Sequence, residues 1–251
     1  MTRPGGAPAE TGRRVLYGRR KGRPLRPGRL RLVEEMLPAL RVPLPAPGGR
    51  IDLSALFPAG LTEYRIEIGF GAGEHLAAEA AASPRAGIIG CEPYLNGVAA
   101  LLALLAAAAA AGQSADNVRI HPDDARPLLE ALPDGCLSRV TLLFPDPWPK
   151  KRQFKRRFVC AGNLEVLARV MQDGGELRLA TDHEGYLEWI REHLAACPAF
   201  AGSGEILDRR PQGWAPTRYE TRARRQGGRC TWLRYRRRDR VKDRAGGPDG
   251  A

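Results

Sequence analysis

The chain has 251 residues, 40 of them Lys or Arg and 28 Asp or Glu, for a formal charge of +12. That balance points to a polyanionic partner, because nucleic-acid sites are built from clustered Lys and Arg, and the 43% of hydrophobic residues still suffices for a core. Five scattered cysteines without a C-x-x-C pair and four histidines without H-E-x-x-H spacing point to neither a disulfide framework nor a metal site, and they fit a reducing, cytoplasmic compartment.

Residues 1–27 lack periodicity. They hold Arg13, Arg14, Arg19, Arg20, Lys21, Arg23 and Arg26 among Gly and Pro, and read as a basic flexible arm. No apolar h-region marks a secretory signal. Gly28 to Leu40 has a helical pattern, with Pro38 weakening its end, and Pro43 to Gly49 is a linker.

From Tyr64 the pattern is regular. Strands are predicted at 65–68, 88–91, 118–120, 140–144 and 176–180. Helices are predicted at 74–82, from near Asn96, at 125–132, 158–171 and 184–196. The Ala-rich run Val98 to Ala111 is shorter than the roughly 20 residues of a membrane span and reads as a core helix. Thr217 to Thr221 and Cys230 to Tyr235 read as closing strands, with an Arg- and Gly-rich loop between them. The residues from 236 read as a charged, disordered tail.

Alternating strands and helices predict an α/β fold, a doubly wound, mostly parallel, Rossmann-like sheet over residues 28–235 with helices on both faces. In such sheets ligands lie beyond the carboxyl ends of the strands.

The first strand runs into Glu67-Ile68-Gly69-Phe70-Gly71-Ala72-Gly73, a turn that opens a helix. Gly69 and Gly71 let the backbone turn tightly and approach a ligand. A dinucleotide fingerprint would want a further glycine at position 74, which is Glu74, and an acid there repels a pyrophosphate. S-adenosylmethionine, with an ammonium, a carboxylate and a sulfonium but no phosphate, suits this acidic loop better. Glu92 closes the second strand, where a carboxylate can take both ribose hydroxyls, a device that NAD enzymes share. Asp124, with Asp123 beside it, follows the third, a position suited to the adenine amino group.

The fourth strand ends in Phe144-Pro145-Asp146-Pro147-Trp148-Pro149-Lys150-Lys151-Arg152-Gln153-Phe154-Lys155-Arg156-Arg157. Pro145 and Pro147 fix the backbone on both sides of Asp146. Trp148 offers a stacking surface, and Lys150, Lys151, Arg152, Lys155, Arg156 and Arg157 offer cations for phosphates.

This run resembles the signature of the tRNA (guanine-N7-)-methyltransferases. The resemblance extends over roughly Gly18 to Tyr235, through Glu67-Ile68-Gly69-Phe70-Gly71, Ala180-Thr181-Asp182 and Thr217-Arg218-Tyr219-Glu220. It implies a class I methyltransferase fold, S-adenosylmethionine as cofactor and a guanine at position 46 of the tRNA variable loop as acceptor. It implies that Glu67, Glu92, Asp124 and Asp146 contact the methyl donor, and that Asp146 is catalytic. Lys150, Asp182, Thr217, Arg218, Tyr219 and Glu220 would contact substrate. Arg152, Gln153, Phe154, Lys155, Arg156 and Arg157 would contact RNA.

The chain departs from the family pattern at Gln153, where many members have His, and at Arg218-Tyr219, which replaces a Lys-Phe pair. The segment 222–228 also lacks the expected Gly-then-His pattern. Guanine N7 has an unshared pair and no proton to lose, so a strong general base is unnecessary. Asp146 would position the base, stabilise developing charge or hold the donor. A methyltransferase for another RNA or DNA base, and an inert nucleic-acid-binding Rossmann-like protein, are the competing readings. Both a monomer and a homodimer fit the sequence.

Overall fold

The computed structural model describes residues 16–202 and 204–240. Arg13 and Arg14 of the expected arm, and the part of the expected tail beyond residue 240, lie outside the described residues.

The predicted helix over 28–40 is two helices, α1 (Pro27–Glu35) and α2 (Leu37–Leu40). Pro38 lies in the first turn of α2, where a missing N–H leaves no bond unmade. A short α3 (Leu53–Leu56) follows, capped by the Asp52 carboxylate, which accepts from Ser54 N at 2.9 Å. The regular core then runs through β1 (Glu63–Ile68), α4 (Glu74–Ala82), β2 (Ala86–Cys91), α5 (Leu95–Ala110), β3 (Val118–His121), α6 (Ala125–Ala131) and β4 (Leu137–Leu143). A 3₁₀ turn (Lys151–Arg156) leads to α7 (Ala161–Val170), β5 (Met171–Thr181), α8 (Glu184–Ala196), β6 (Gly204–Leu207), α9 (Arg218–Arg225) and β7 (Thr231–Arg236).

The seven strands form one sheet in the order β3-β2-β1-β4-β5-β7-β6. The strands from β3 to β5 pair in parallel. The last two pair antiparallel, β7 against β5 and β6 against β7. β2 is buried along its whole length, as a central parallel strand covered on both faces must be. Leu128, Leu129, Leu167, Ile190 and Leu194 from α6, α7 and α8 pack with Ile66, Ile89 and Val140 in one core cluster. Val98, Leu101, Leu102 and Leu105 of α5 pack with Leu76, Ile88 and Ile120 in another. Among the described residues no helix is long and apolar enough to cross a membrane.

Three expectations change. Thr217 to Thr221 is not a strand. Thr217 is the N-cap of α9, its hydroxyl oxygen accepting from Glu220 N at 3.0 Å. The Thr-x-x-Glu spacing of a helix start outweighs the strand preference of Thr and Tyr. The chain after Tyr235 does not leave the domain at once. Arg237 is buried and donates to Ala168 O at 3.1 Å, and Arg240 donates to Met171 O at 2.9 Å. Nor is the chain before residue 27 detached. Leu95 N donates to Arg20 O at 3.0 Å, Gly22 N donates to Asn96 Oδ1 at 3.1 Å, and Arg20 pairs with Asp123 at 2.8 Å. Backbone bonding holds these basic residues, although they bury little apolar surface.

Removing the α9 cap with Thr217→Ala is expected to lower stability by about 1 kcal/mol, while Thr217→Asp retains most of it. Urea unfolding followed by circular dichroism checks this, and equal midpoints for wild type and Thr217→Ala would remove the cap's role.

Candidate active site

The strand order reverses beside β1, and the chain segments leaving β1, β2, β4 and β5 gather on one rim of the sheet. After β1 the chain turns through Gly69, Gly71 and Gly73, all with positive φ. At Gly71 (φ 59°) a Cβ would also press on the Tyr219 ring at 3.2 Å, so a side chain there is both strained and crowded. Gly97, in the first turn of α5, leaves no room for a Cβ against the Gly71 carbonyl, which is how this helix comes so close to the loop.

Glu92 joins the two elements. Its carboxylate accepts from Gly71 N at 2.8 Å and from Tyr94 N at 2.9 Å. Burial pushes its pKa up, the two backbone N–H groups pull it down, and the charges of Asp146 and Glu67 add to the rise; the net shift is upward.

Two cavities on this rim meet at Asp146, and a further one of about 630 Å³ is lined by Thr181, Asp182, His183 and Leu207, among others. The first, about 610 Å³, is lined by Gly69, Gly71, Glu92, Phe144, Asp146 and Tyr219, among others. The second, about 320 Å³, is lined by Pro145, Asp146, Asp182, His183, Tyr219 and Arg222, among others. The Phe144–Asp146 ledge and Tyr219 belong to both. Each Glu92 oxygen holds one N–H and retains a lone pair, which suits the paired hydroxyls of a ribose. Asp146 supplies negative charge for a cationic ligand at the junction. The first cavity therefore fits S-adenosylmethionine, and the second adjoins it across the Phe144–Asp146 ledge.

The other expected residues divide. Asp182 lines the second cavity. Asp124 caps α6, accepting from Arg126 N at 3.0 Å, and its carboxylate is also held by the Arg126 side chain. Glu67 stands behind the glycine loop, its Oε2 bonded to His75 Nδ1 at 2.7 Å. Arg218 is exposed and pairs with Glu74 at 3.1 Å. Lys150, Arg152 and Lys155 are exposed. Gln153 is half-buried, its N–H donating to Lys150 O at 2.7 Å. Arg156 lies between the Tyr17 ring (4.6 Å) and the Trp148 ring (4.8 Å) and lines the first cavity, so one face of Trp148 is already covered.

Three expected contacts point inward instead. Glu220 is buried between Arg210 (3.3 Å) and Arg224 (3.0 Å). Phe154 packs edge-on against Trp189, with ring centroids 5.3 Å apart. Arg157 is 4% exposed. The rings that cover Phe154 and Arg157 come from the distant α8, so a run of basic letters reads as uniformly exposed when it is not.

Gly18, Arg19, Tyr94 and Arg222 line the cavities and were not singled out as cavity residues from the sequence. For Arg222 a signal existed, since it lies three residues after Tyr219 and a helix brings both to one face.

A sheet reversing at β1, with a glycine-loop cavity above the reversal and an antiparallel β7 set between β5 and β6, has the architecture of a class I methyltransferase. Solved structures titled as an antibiotic-related methyltransferase (TM-score 0.51, 15% identity, 72% of this chain and 89% of that one) and as the 16S rRNA methyltransferase KamB (0.52, 16%, 72% and 90%) share the fold. The family described as "Putative methyltransferase" matches residues 62–233.

The tRNA (guanine-N(7)-)-methyltransferase of Rhodospirillum rubrum is 46% identical over 91% of this chain and 89% of its own length. That of Paramagnetospirillum magneticum is 46% identical over 94% and 97%. That of Nitrobacter hamburgensis is 44% identical over 91% and 88%. The chain belongs to the tRNA (guanine-N(7)-)-methyltransferase family.

The Glu67–His75 pair makes a pH-dependent contribution. Burial pulls the His75 pKa down, but the Glu67 carboxylate and, more weakly, Glu79 outweigh it while Arg178 opposes them; the net shift is upward from 6.5. A histidine whose pKa is higher folded than unfolded adds stability below its unfolded pKa and loses it as pH rises through the folded one. The stability difference between wild type and His75→Gln should therefore be largest near pH 6 and shrink as pH rises above that range. Paired urea titrations from pH 6 to 9 check this, and a difference that grows with pH would contradict it.

Proposed function

We propose that this protein transfers a methyl group from S-adenosylmethionine to N7 of guanine 46 in the variable loop of tRNA, in the cytoplasm. The observation that carries the reading is the junction at Asp146, where a cavity suited to the donor and a cavity open to an acceptor share one carboxylate. The relatives named above support tRNA and guanine N7; position 46 is what the resemblance to the family implies.

S-adenosylmethionine, when bound, supplies a sulfonium-activated methyl group. Glu92 is placed to hold its ribose, and the glycine loop gives close backbone approach. Guanine N7 attacks with its own lone pair and loses no proton, so Asp146 need not act as a base. As the new N–C bond forms and the methyl–sulfur bond breaks, its electron pair stays on sulfur and the positive charge passes to the guanine; a preorganised carboxylate at the junction lowers the energy of that developing charge. With N7 turned toward the methyl group, the N1–H and N2–H donors of guanine face away from it, and Asp182, which also lines the second cavity, is suited to accept from them. Tyr219 borders both cavities, its ring against Gly71 of the glycine loop. Exposed Lys150, Arg152 and Lys155 on the 3₁₀ turn and its approach supply phosphate contacts.

Incubation with labelled S-adenosylmethionine and unmodified tRNA, followed by nucleoside mapping, is expected to give 7-methylguanosine at position 46 and none in a transcript with adenine there. A methyl group on another base or atom would overturn the assignment. Asp146→Asn is expected to fold, to bind tRNA and to lose on the order of 100-fold in turnover, the scale seen when one preorganised charge-stabilising group is removed. Arg152→Ala and Lys155→Ala are each expected to make the slope of log affinity against log salt shallower by about one. An unchanged slope in both would place the RNA elsewhere on the surface.

A further inference from the structure

The last cation of the basic block is built differently from its neighbours. Arg157 ends the 3₁₀ turn and is 4% exposed. Its guanidinium is 3.8 Å from the centroid of the Phe154 ring, 4.9 Å from that of Trp189 and 5.1 Å from that of Tyr186. Among the described residues no carboxylate forms an ion pair with it. Its Nε donates to Pro147 O at 2.8 Å, and one terminal nitrogen donates to Gly185 O at 3.4 Å. A buried cation is costly unless its surroundings compensate, and here aromatic faces and carbonyl oxygens do so.

The bonded carbonyl belongs to the residue after Asp146. Phe144 (φ 51°) and Trp148 (φ 45°) both adopt left-handed backbone, which is unfavourable for bulky residues and persists only where the surroundings enforce it. Pro145 and Pro147 have no N–H with which to anchor the loop. Phe144 N, donating to Ala180 O at 2.8 Å, ties down its start. The bond from Arg157 to Pro147 O ties down its end.

The same guanidinium reaches α8 through Gly185, Tyr186 and Trp189. That helix begins just after Asp182 and His183, which line the second cavity together with Asp146. We propose that Arg157 is not an RNA contact but the positioning residue of the acceptor cavity, fixing the Asp146 loop against the Asp182–His183 turn. The geometry needs a flat, laterally donating cation, because ring stacking and a bond to Pro147 O must be made at once; a lysine ammonium has neither the plane nor the reach to two carbonyls.

This inference rests on the reading of the Asp146 loop as the methyl-transfer site, which the position-mapping experiment on wild-type enzyme tests separately. For Arg157 the full-length protein is compared as wild type, Arg157→Lys and Arg152→Ala, with single-turnover methylation of tRNA and with tRNA affinity at several salt concentrations. Arg157→Lys is expected to slow methylation at saturating tRNA on the order of 100-fold, the effect of roughly 1 Å of misplacement, with tRNA affinity and its salt slope unchanged. Arg152→Ala is expected to show the shallower slope. In an Asp146→Asn background Arg157→Lys should slow the reaction little further, since both act through one loop.

A shallower salt slope with near-normal single-turnover rate in Arg157→Lys would make Arg157 an RNA contact and overturn the proposal. Unchanged rate and slope would overturn it as well. If Arg157→Lys does not fold, Phe154→Leu, which removes the ring against the guanidinium, carries the same test, and a normal rate in that variant is the overturning result.

Discussion

β1 is hydrogen-bonded in parallel to β2 on one side and to β4 on the other, and this double pairing is the constraint on which the site depends. Parallel strands share a direction, so the segments leaving β1, β2, β4 and β5 emerge on one rim. Because the order reverses at β1, the crossovers on its two sides lie on opposite faces and a crevice remains above it. The glycine loop, Glu92, the proline-flanked Asp146 and Asp182 are brought together by this pairing although they are far apart in the chain. No one of them makes a site by itself. Glu92 is an ordinary strand-end acid until the Gly71 and Tyr94 N–H groups close on it.

Beneath the glycine loop one face of the sheet carries charge instead of hydrocarbon. Glu63 and Arg65 on β1, Arg139 on β4 and Glu176 and Arg178 on β5 are joined to one another or to Glu79 of α4 by ion pairs. His75 extends the array to Glu67. The acids and bases balance, and most of the cations find more than one carboxylate oxygen, which is the condition for buried charge to be tolerated. Arg178 also lies 4.6 Å from the centroid of the Trp214 ring. Such an array gives α4 one seating over the strands, and α4 begins directly after Gly73. A helix held by directional charge pairs shifts less easily than one resting on interchangeable methyl groups, so the loop above it has a rigid base.

The basic block shows how one run of letters can hold several roles. Lys150, Arg152 and Lys155 face solvent, Arg156 lies between two aromatic rings at the first cavity, and Arg157 is buried under the Asp146 loop. The 3₁₀ turn separates them, since its threefold repeat sends Phe154 and Arg157 to the same side. The segment before residue 27 follows similar logic. Its arginines read as an unstructured arm, yet Arg20 meets Asp123 at the end of β3 and Tyr17 covers Arg156. This part of the chain forms a strap beside the first cavity, with Gly18 and Arg19 in its wall.

By itself the sequence determined the alternation of strands and helices, the glycine turn, the strand-end acids and the proline-flanked Asp146, because each depends on local periodicity or on the restricted backbone of Gly and Pro. It also contained the Thr217-x-x-Glu220 capping signal for α9, which the β-preferring residues beside it masked. The tertiary structure alone decided that Phe154, Arg157 and Glu220 turn inward and that His75 bonds to Glu67. It alone placed β7 between β5 and β6 and docked the basic segment onto α5. The physical reason is that direction, burial and charge partner are set by how elements pack, for the most part by groups distant in the chain, and a cation's letter is identical whether it faces a phosphate or three aromatic rings.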